Sequence, residues 1–186
     1  MTVYIGLLRG INVGGKNIIK MAELKQALTS MGLLQVKTYI QSGNIIFESG
    51  ETEDILKIKI QQMVKEIFRL SVPVTIRTCF ELDSIISQCP FSAEEILKAE
   101  SSSKAESLYV SFLASEPSPE KIQLFDTCKS QDETYRILGR NVFLLFQNSI
   151  RNSKLANNLQ KLDETATTRN WKTVNKLALL AKEMEV

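Results

Sequence analysis

The run Gly10-Ile11-Asn12-Val13-Gly14-Gly15-Lys16-Asn17 concentrates the groups that hold an oxyanion. Its glycines can turn the backbone at positive φ and bring amides close to a ligand, while Arg9, Lys16, Lys20 and the carboxamides of Asn12 and Asn17 can donate hydrogen bonds to phosphate-type oxygens. The run fits the phosphate-loop pattern G-x-x-x-x-G-K-[ST] except at its last position, where Asn17 stands in place of the hydroxyl that ligates magnesium. Helical periodicity begins only at Met21, so helix N-terminal amides do not follow the lysine, and no apolar strand ending in Asp accompanies the loop. The chemistry indicated is anion binding by backbone amides and a lysine rather than nucleotide hydrolysis; a plain glycine turn is the competing reading.

The elements that must position this loop follow from hydrophobic periodicity. Val3 to Arg9 reads as a strand, and Met21, Leu24, Leu28 and Met31 recur at helical spacing up to Gly32. Val36 to Gln41 and Asn44 to Glu48 form a hairpin around Ser42-Gly43. Leu56, Ile60, Met63, Val64 and Ile67 stripe a second helix starting at Thr52, and Val74 to Cys79 is a further strand. The order β-α-β-β-α-β is that of a ferredoxin-like unit. In that topology the first and third strands are antiparallel neighbours. Arg9 and Gly10 then lie beside the hairpin turn, gathering Arg9, Asn12, Lys16, Gln41, Ser42 and Asn44 at one pole.

Helices over Leu82 to Cys89 and from Ser92 follow, the latter with a capping box to Glu95, and Ser101 to Lys104 reads as a linker. The pattern then restarts: strand Leu108 to Ala114, helix Pro119 to Cys128, hairpin strands Thr134 to Leu138 and Asn141 to Gln147, a helix over Leu155, Leu159 and Leu162, strand Ala166 to Arg169, and a last helix from Asn170. Val3-Tyr4-Ile5-Gly6-Leu7-Leu8 parallels Leu108-Tyr109-Val110-Ser111-Phe112-Leu113, and Thr75-Ile76-Arg77-Thr78 parallels Thr167-Thr168-Arg169-Asn170. The expected fold is α+β: a tandem duplication of a ferredoxin-like unit with antiparallel sheets and helices on one face, divided as 1–103 and 104–186. Strand 141–147 is apolar on both faces, which implies cover on its open side by the other repeat, the last helix or a second subunit.

Thr167 to Thr173 is a second polar concentration. There Arg169 and Trp171 can serve as a guanidinium and an aromatic platform for a base or phosphate, with Arg151 to Lys154 at a helix mouth nearby; the structural alternative is Asn170 as a helix cap with Trp171 on the core. The chain has no histidine, and Cys79, Cys89 and Cys128 form no CxxC pair, so neither a disulfide framework nor a Cys/His zinc site is expected, and no metal or cofactor is implied. No signal-like or membrane-length apolar run occurs, and a cytoplasmic protein is expected. Residues 1–50 and 134–182 are basic and 51–133 acidic. That distribution suits a phosphate-containing partner, a small nucleotide or a nucleic acid, although solvated helix faces carry similar runs.

The stretches Leu7 to Asn17, Tyr39 to Asn44 and Thr167 to Val174 resemble the signature segments of a bacterial family known as domain of unknown function 1697. The resemblance implies a tandem pair of ferredoxin-like subdomains and assigns no activity, so no catalytic residue is carried over. The leading functional expectation is binding of a phosphate-containing ligand at the first-repeat loop. Two alternatives stand beside it: a small-molecule enzyme working without histidine or metal, with Lys16 or Glu48 as its acid-base group, and an interaction module that dimerises through the apolar sheet faces of the second repeat.

Overall fold

The computed structural model describes residues 1–102 and 104–185. In chain order the elements are β1 (Thr2–Leu8), α1 (Met21–Ser30), β2 (Leu34–Tyr39), β3 (Asn44–Ser49), α2 (Glu53–Phe68), β4 (Val74–Thr78), α3 (Cys79–Ser87) and α4 (Ala93–Ser102), then β5 (Leu108–Phe112), α5 (Pro119–Asp126), β6 (Glu133–Leu138), β7 (Asn141–Phe146), α6 (Lys154–Asn157), β8 (Thr167–Asn170) and α7 (Trp171–Lys182). Two compact units divide them: Met1–Ser84 with Asn175–Val186, and Ile85–Val174. Each holds one antiparallel four-stranded sheet, ordered β2-β3-β1-β4 in the first and β6-β7-β5-β8 in the second. Substituting each strand by its counterpart turns one order into the other, so the chain is a tandem duplication of the ferredoxin-like unit.

In the first unit the apolar stripes predicted from the sequence cover one face of the sheet. Met21, Leu24 and Leu28 of α1 and Leu56, Ile60 and Val64 of α2 share a core with Tyr4, Leu8, Ile45, Phe47, Val74 and Ile76. These sheet residues lie on one face of the pleat, and Val3, Ile5, Leu7 and Ile46 on the opposite face are buried as well. The second unit repeats this arrangement with Val142, Leu144 and Phe146 facing Phe125, Leu155, Leu159 and Leu162. Phe143 and Leu145, on the opposite face of β7, are also buried.

Two expectations change. The helix over Leu155, Leu159 and Leu162 is not continuous: a 3₁₀ turn at Ile150–Asn152, the single-turn α6 and a second 3₁₀ turn at Leu159–Lys161 replace it. The serines explain the break. Ser149 Oγ accepts from Arg151 N and Ser153 Oγ from Ala156 N, and both residues have extended backbones, so each starts a new turn instead of continuing the last. Ser101 and Ser102, expected in a linker, close α4 by donating their hydroxyls to Lys98 O. Ser103, the next residue of that stretch, lies outside the described residues.

The start of α4 is built as the capping box predicts, with Ser92 N donating to Glu95 Oε2 and Glu95 N to Ser92 Oγ. Arg136, on β6, grips the same carboxylate through both terminal nitrogens, Nη2 to Oε1 at 2.6 Å and Nη1 to Oε2 at 3.2 Å, and its guanidinium lies 4.4 Å from the centre of the Phe91 ring. The Arg136 hydrogen bond, followed by the Ser92 amide, lowers the Glu95 carboxyl from 4.5 to about 2. A carboxyl lowered by folding stabilises the fold above its unfolded value and loses that contribution as pH falls toward the folded one. NMR titration is expected to place the Glu95 midpoint near 2 in the wild type and to raise it toward the ordinary carboxylate range in Arg136→Gln. The same variant should remove the Glu95 share of acid destabilisation between about pH 4.5 and 2; an unmoved midpoint would contradict the clamp.

Candidate functional site

The glycine-rich loop leaves β1 at a point fixed from both sides. Leu8 N donates to Gly43 O at 2.8 Å and Arg9 N to Pro73 O at 2.9 Å. Gly43 has φ +79°, and a Cβ there would lie 2.9 Å from Leu8 Cβ and from Ile11 Cγ1. Only glycine lets the hairpin turn press this closely on the loop. Ile11 and Ile19 are buried and pin both ends of the excursion to the core.

Between these anchors the loop is a miniature hairpin. Asn12 N donates to Asn17 O at 3.1 Å and Lys16 N to Val13 O at 3.0 Å, and Gly14 and Gly15 turn the chain with φ +57° and +73°. Two successive positive-φ residues define the type I′ turn that closes two-residue hairpins. The side chain of Asn12, itself at φ 55°, braces the structure. Its Nδ2 donates to Ile19 O at 2.9 Å and Gln41 O at 2.8 Å, and its Oδ1 accepts from Ile19 N at 2.8 Å. Asn17 Nδ2 donates to Gly10 O at 2.9 Å. The two carboxamides therefore shape the loop.

The structure thus brings Arg9, Gly10, Asn12, Gly14, Gly15, Lys16, Asn17, Gln41, Ser42 and Asn44 to one pole of the first sheet, in differing roles. Asn44 is fully buried, its Nδ2 donating to Tyr39 O and Ser42 Oγ. Gln41 contributes its carbonyl to Asn12. Lys20 pairs with Glu23 at 3.1 Å. Gly14, Gly15 and Lys16 form the exposed tip, and among the described residues neither glycine amide donates to a protein acceptor. This tip can hold an anion, with two amides that have no protein acceptor among the described residues and an ammonium at the end of a braced turn.

Arg169 and Trp171 belong to the second unit. Arg169 Nη1 donates to Thr168 O at 2.9 Å, and burial pulls its guanidinium down to about 10. Trp171 is half-buried, its ring 6.4 Å from that of Phe143. Asn170 caps α7, its Oδ1 accepting from Thr173 N at 2.8 Å. Sequence reasoning passed over Arg77, the counterpart of Arg169, which is 1% exposed and donates in the same way to Ile76 O at 2.8 Å. It also passed over a polar cleft containing Asp132 and Glu133 in the second unit. The apolar spacing of Leu155, Leu159 and Leu162 hides that cleft, and the capping residues Ser149 and Ser153 are the sequence signal that could have found it.

The fold and the duplication are those expected of the family the sequence resembles, and the family model described as "Protein of unknown function (DUF1697)" matches residues 1–143. The chain belongs to the DUF1697 family. Its structure is similar to that of the conserved bacterial protein SP0830 from Streptococcus pneumoniae. The two are 26% identical over 97% of this chain and 98% of that one, with a TM-score of 0.74. No curated protein matches. Among the described residues no helix is long and apolar enough to cross a membrane.

If Asn12 braces the loop, Asn12→Gly keeps the left-handed backbone accessible but deletes the three side-chain hydrogen bonds. Amide exchange at residues 10–20 is expected to quicken, with a stability loss of about 1–3 kcal/mol. Gly43→Ala should cost at the upper end of that range, through close contact as well as strain, whereas Gly139→Ala, likewise left-handed at φ +57° but with nothing within 4 Å of its Cβ, should cost only the left-handed strain of about 1 kcal/mol. Equal urea midpoints for the two glycine variants would remove the close-approach argument.

Proposed function

We propose that this DUF1697 protein binds phosphate groups at the Gly14-Gly15-Lys16 tip, acting in the cytoplasm on a nucleic-acid backbone. The supporting observation is a pre-shaped turn with two amides that donate to no protein acceptor, beside a lysine that has no ion-pair partner among the described residues. Preorganisation matters because the protein's ordering entropy is lost on folding rather than on binding. Oriented amides add fixed positive dipoles to the ammonium charge.

The tip is exposed, and Val13, Ile18 and Ile40 near it are exposed at 62%, 63% and 50%. An enclosed nucleotide site would surround a base and ribose. An exposed basic tip suits the phosphates of a polymer laid across it, with the exposed aliphatic groups against sugar or base faces. Arg9, at the base of the loop, adds charge to the same pole.

Fluorescence anisotropy with single-stranded RNA, single-stranded DNA and duplex DNA at low salt, alongside ATP, tests this reading. Polymer binding is expected to outrank ATP. Lys16→Ala should weaken it and lower the slope of log K against log salt by about 1, and Arg9→Ala should weaken it further. The proposal fails if no probe binds at low salt, or if both variants bind as the wild type does.

A further inference from the structure

The second unit carries a site unrelated to the loop. Where the first repeat follows its hairpin with the sixteen-residue α2, the second has the three short turns between Ile150 and Lys161. Between these turns and the start of β6 lies a cleft of about 430 Å³. This is within the range of small-molecule sites, about 300–1,000 Å³, but such sites are mostly apolar. Here the wall is polar, and Phe146 is the one apolar side chain in it.

Its charge is one-sided. Asp132 and Glu133 line the cleft together with serines and asparagines, and no lysine or arginine does so among the described residues. Arg151 and Lys154, which bracket Asn152 and Ser153 in sequence, are exposed outside the wall. Glu133 is 7% exposed, and Leu155 N reaches its Oε2 only at 3.4 Å. Its Oε1 has no hydrogen-bond partner and its carboxylate no cation among the described residues. Asp132 Oδ2 accepts from Asn148 Nδ2 at 3.3 Å. Residue Glu133 is buried as a whole, yet Oε1 is not one of the buried oxygens without a partner, so it keeps solvent access and free acceptor capacity toward the cleft.

We propose that this cleft binds a small primary amine bearing hydroxyl groups, with Glu133 as the ammonium acceptor. An ammonium offers three donors to the vacant capacity of Glu133 and Asp132. The hydroxyls and carboxamides of Ser130, Asn148 and Asn152 match ligand hydroxyls, and Phe146 offers its carbon skeleton an apolar face. A divalent cation fits less well. Hard cations take six or more oxygens with several carboxylates, and no group of three or more His, Cys, Asp or Glu is poised for a metal among the described residues.

The full-length protein is titrated by NMR with glucosamine, glucose or calcium chloride, observing the amides of residues 130–133 and 148–153. Glucosamine is expected to shift them saturably and glucose to do so far more weakly. Glu133→Gln should weaken glucosamine binding by about tenfold or more, the scale of one charge-assisted hydrogen bond. Ser130→Lys, which supplies an ammonium from the protein itself, should abolish binding and stands as the test should Glu133→Gln fail to give a native spectrum. The assignment is overturned if glucose binds as well as glucosamine, if calcium alone saturates these amides, if no probe shifts them, or if a folded variant retains wild-type affinity.

Discussion

Strand β1 is hydrogen-bonded on both edges, and the candidate site depends on that constraint. Leu7 stands opposite Asn44 of β3 and Thr75 of β4. A strand committed on both sides has one place to end, between Gly43 and Pro73, where Leu8 N and Arg9 N make the last two bonds. The chain must leave beside the β2–β3 turn and return to Met21 at the head of α1. Buried Ile11 and Ile19 set the two ends of that path, and the Asn12 carboxamide ties it to Gln41. The loop's shape therefore comes from sheet pairing and burial, with the glycines supplying the left-handed turn at its tip.

The second repeat obeys the same constraint. Leu113 N donates to Arg140 O at 2.9 Å, as Leu8 N does to Gly43 O. Asn141 Nδ2 reaches Leu138 O as Asn44 Nδ2 reaches Tyr39 O. Arg77 stands opposite Ile5 and Arg169 opposite Val110, and each donates to the carbonyl of its preceding residue. The copies agree along the pairings of β1 and β5, while in the hairpins β2 carries a register shift that β6 lacks and the turn is four residues long against two. They also differ in the connection after the first strand and in the segment after the hairpin, where pairing leaves the chain free. The loop and the cleft occupy those two places.

The same distinction marks what the sequence could reveal. Met21, Leu24 and Leu28, or Leu56, Ile60 and Val64, announce a helix because burial selects residue type at a fixed period, and the repeated strands announced the duplication for the same reason. Leu155, Leu159 and Leu162 keep that period and face one core, yet capping by Ser149 and Ser153 breaks the backbone between them, since a local hydrogen bond can outweigh an apolar stripe in so short a segment. The pole of the site was legible from topology. The role of Asn12 was not, because a carboxamide can donate equally well to a phosphate or to a carbonyl, and only the left-handed backbone at residue 12 decides between them. Glu133 was invisible for a related reason: an acid opening a strand reads as solvent-exposed until the turns that bury it are in place.

Placement also changes how the chain's positive charge should be counted. Arg9, Lys16, Lys20 and Arg169 are equal candidates by composition. Lys20 is paired with Glu23. Arg169 is half-buried, and its desolvation lowers the guanidinium's proton affinity, while Arg77 is buried and lies within 3.8 Å of Glu53. Desolvated guanidiniums tied to neighbouring carbonyls fix strand ends; they are not available to an incoming phosphate without giving up those bonds. Lys16 differs from all of these: it is exposed and unpaired among the described residues, at the end of a turn that cannot easily fold back on itself. A net charge of +2 says little about such a protein. The affinity proposed for the tip rests on one lysine and two backbone amides without a protein acceptor, so it should be modest for a single phosphate. It becomes useful only when successive phosphates on one polymer meet the tip and the neighbouring Arg9 together.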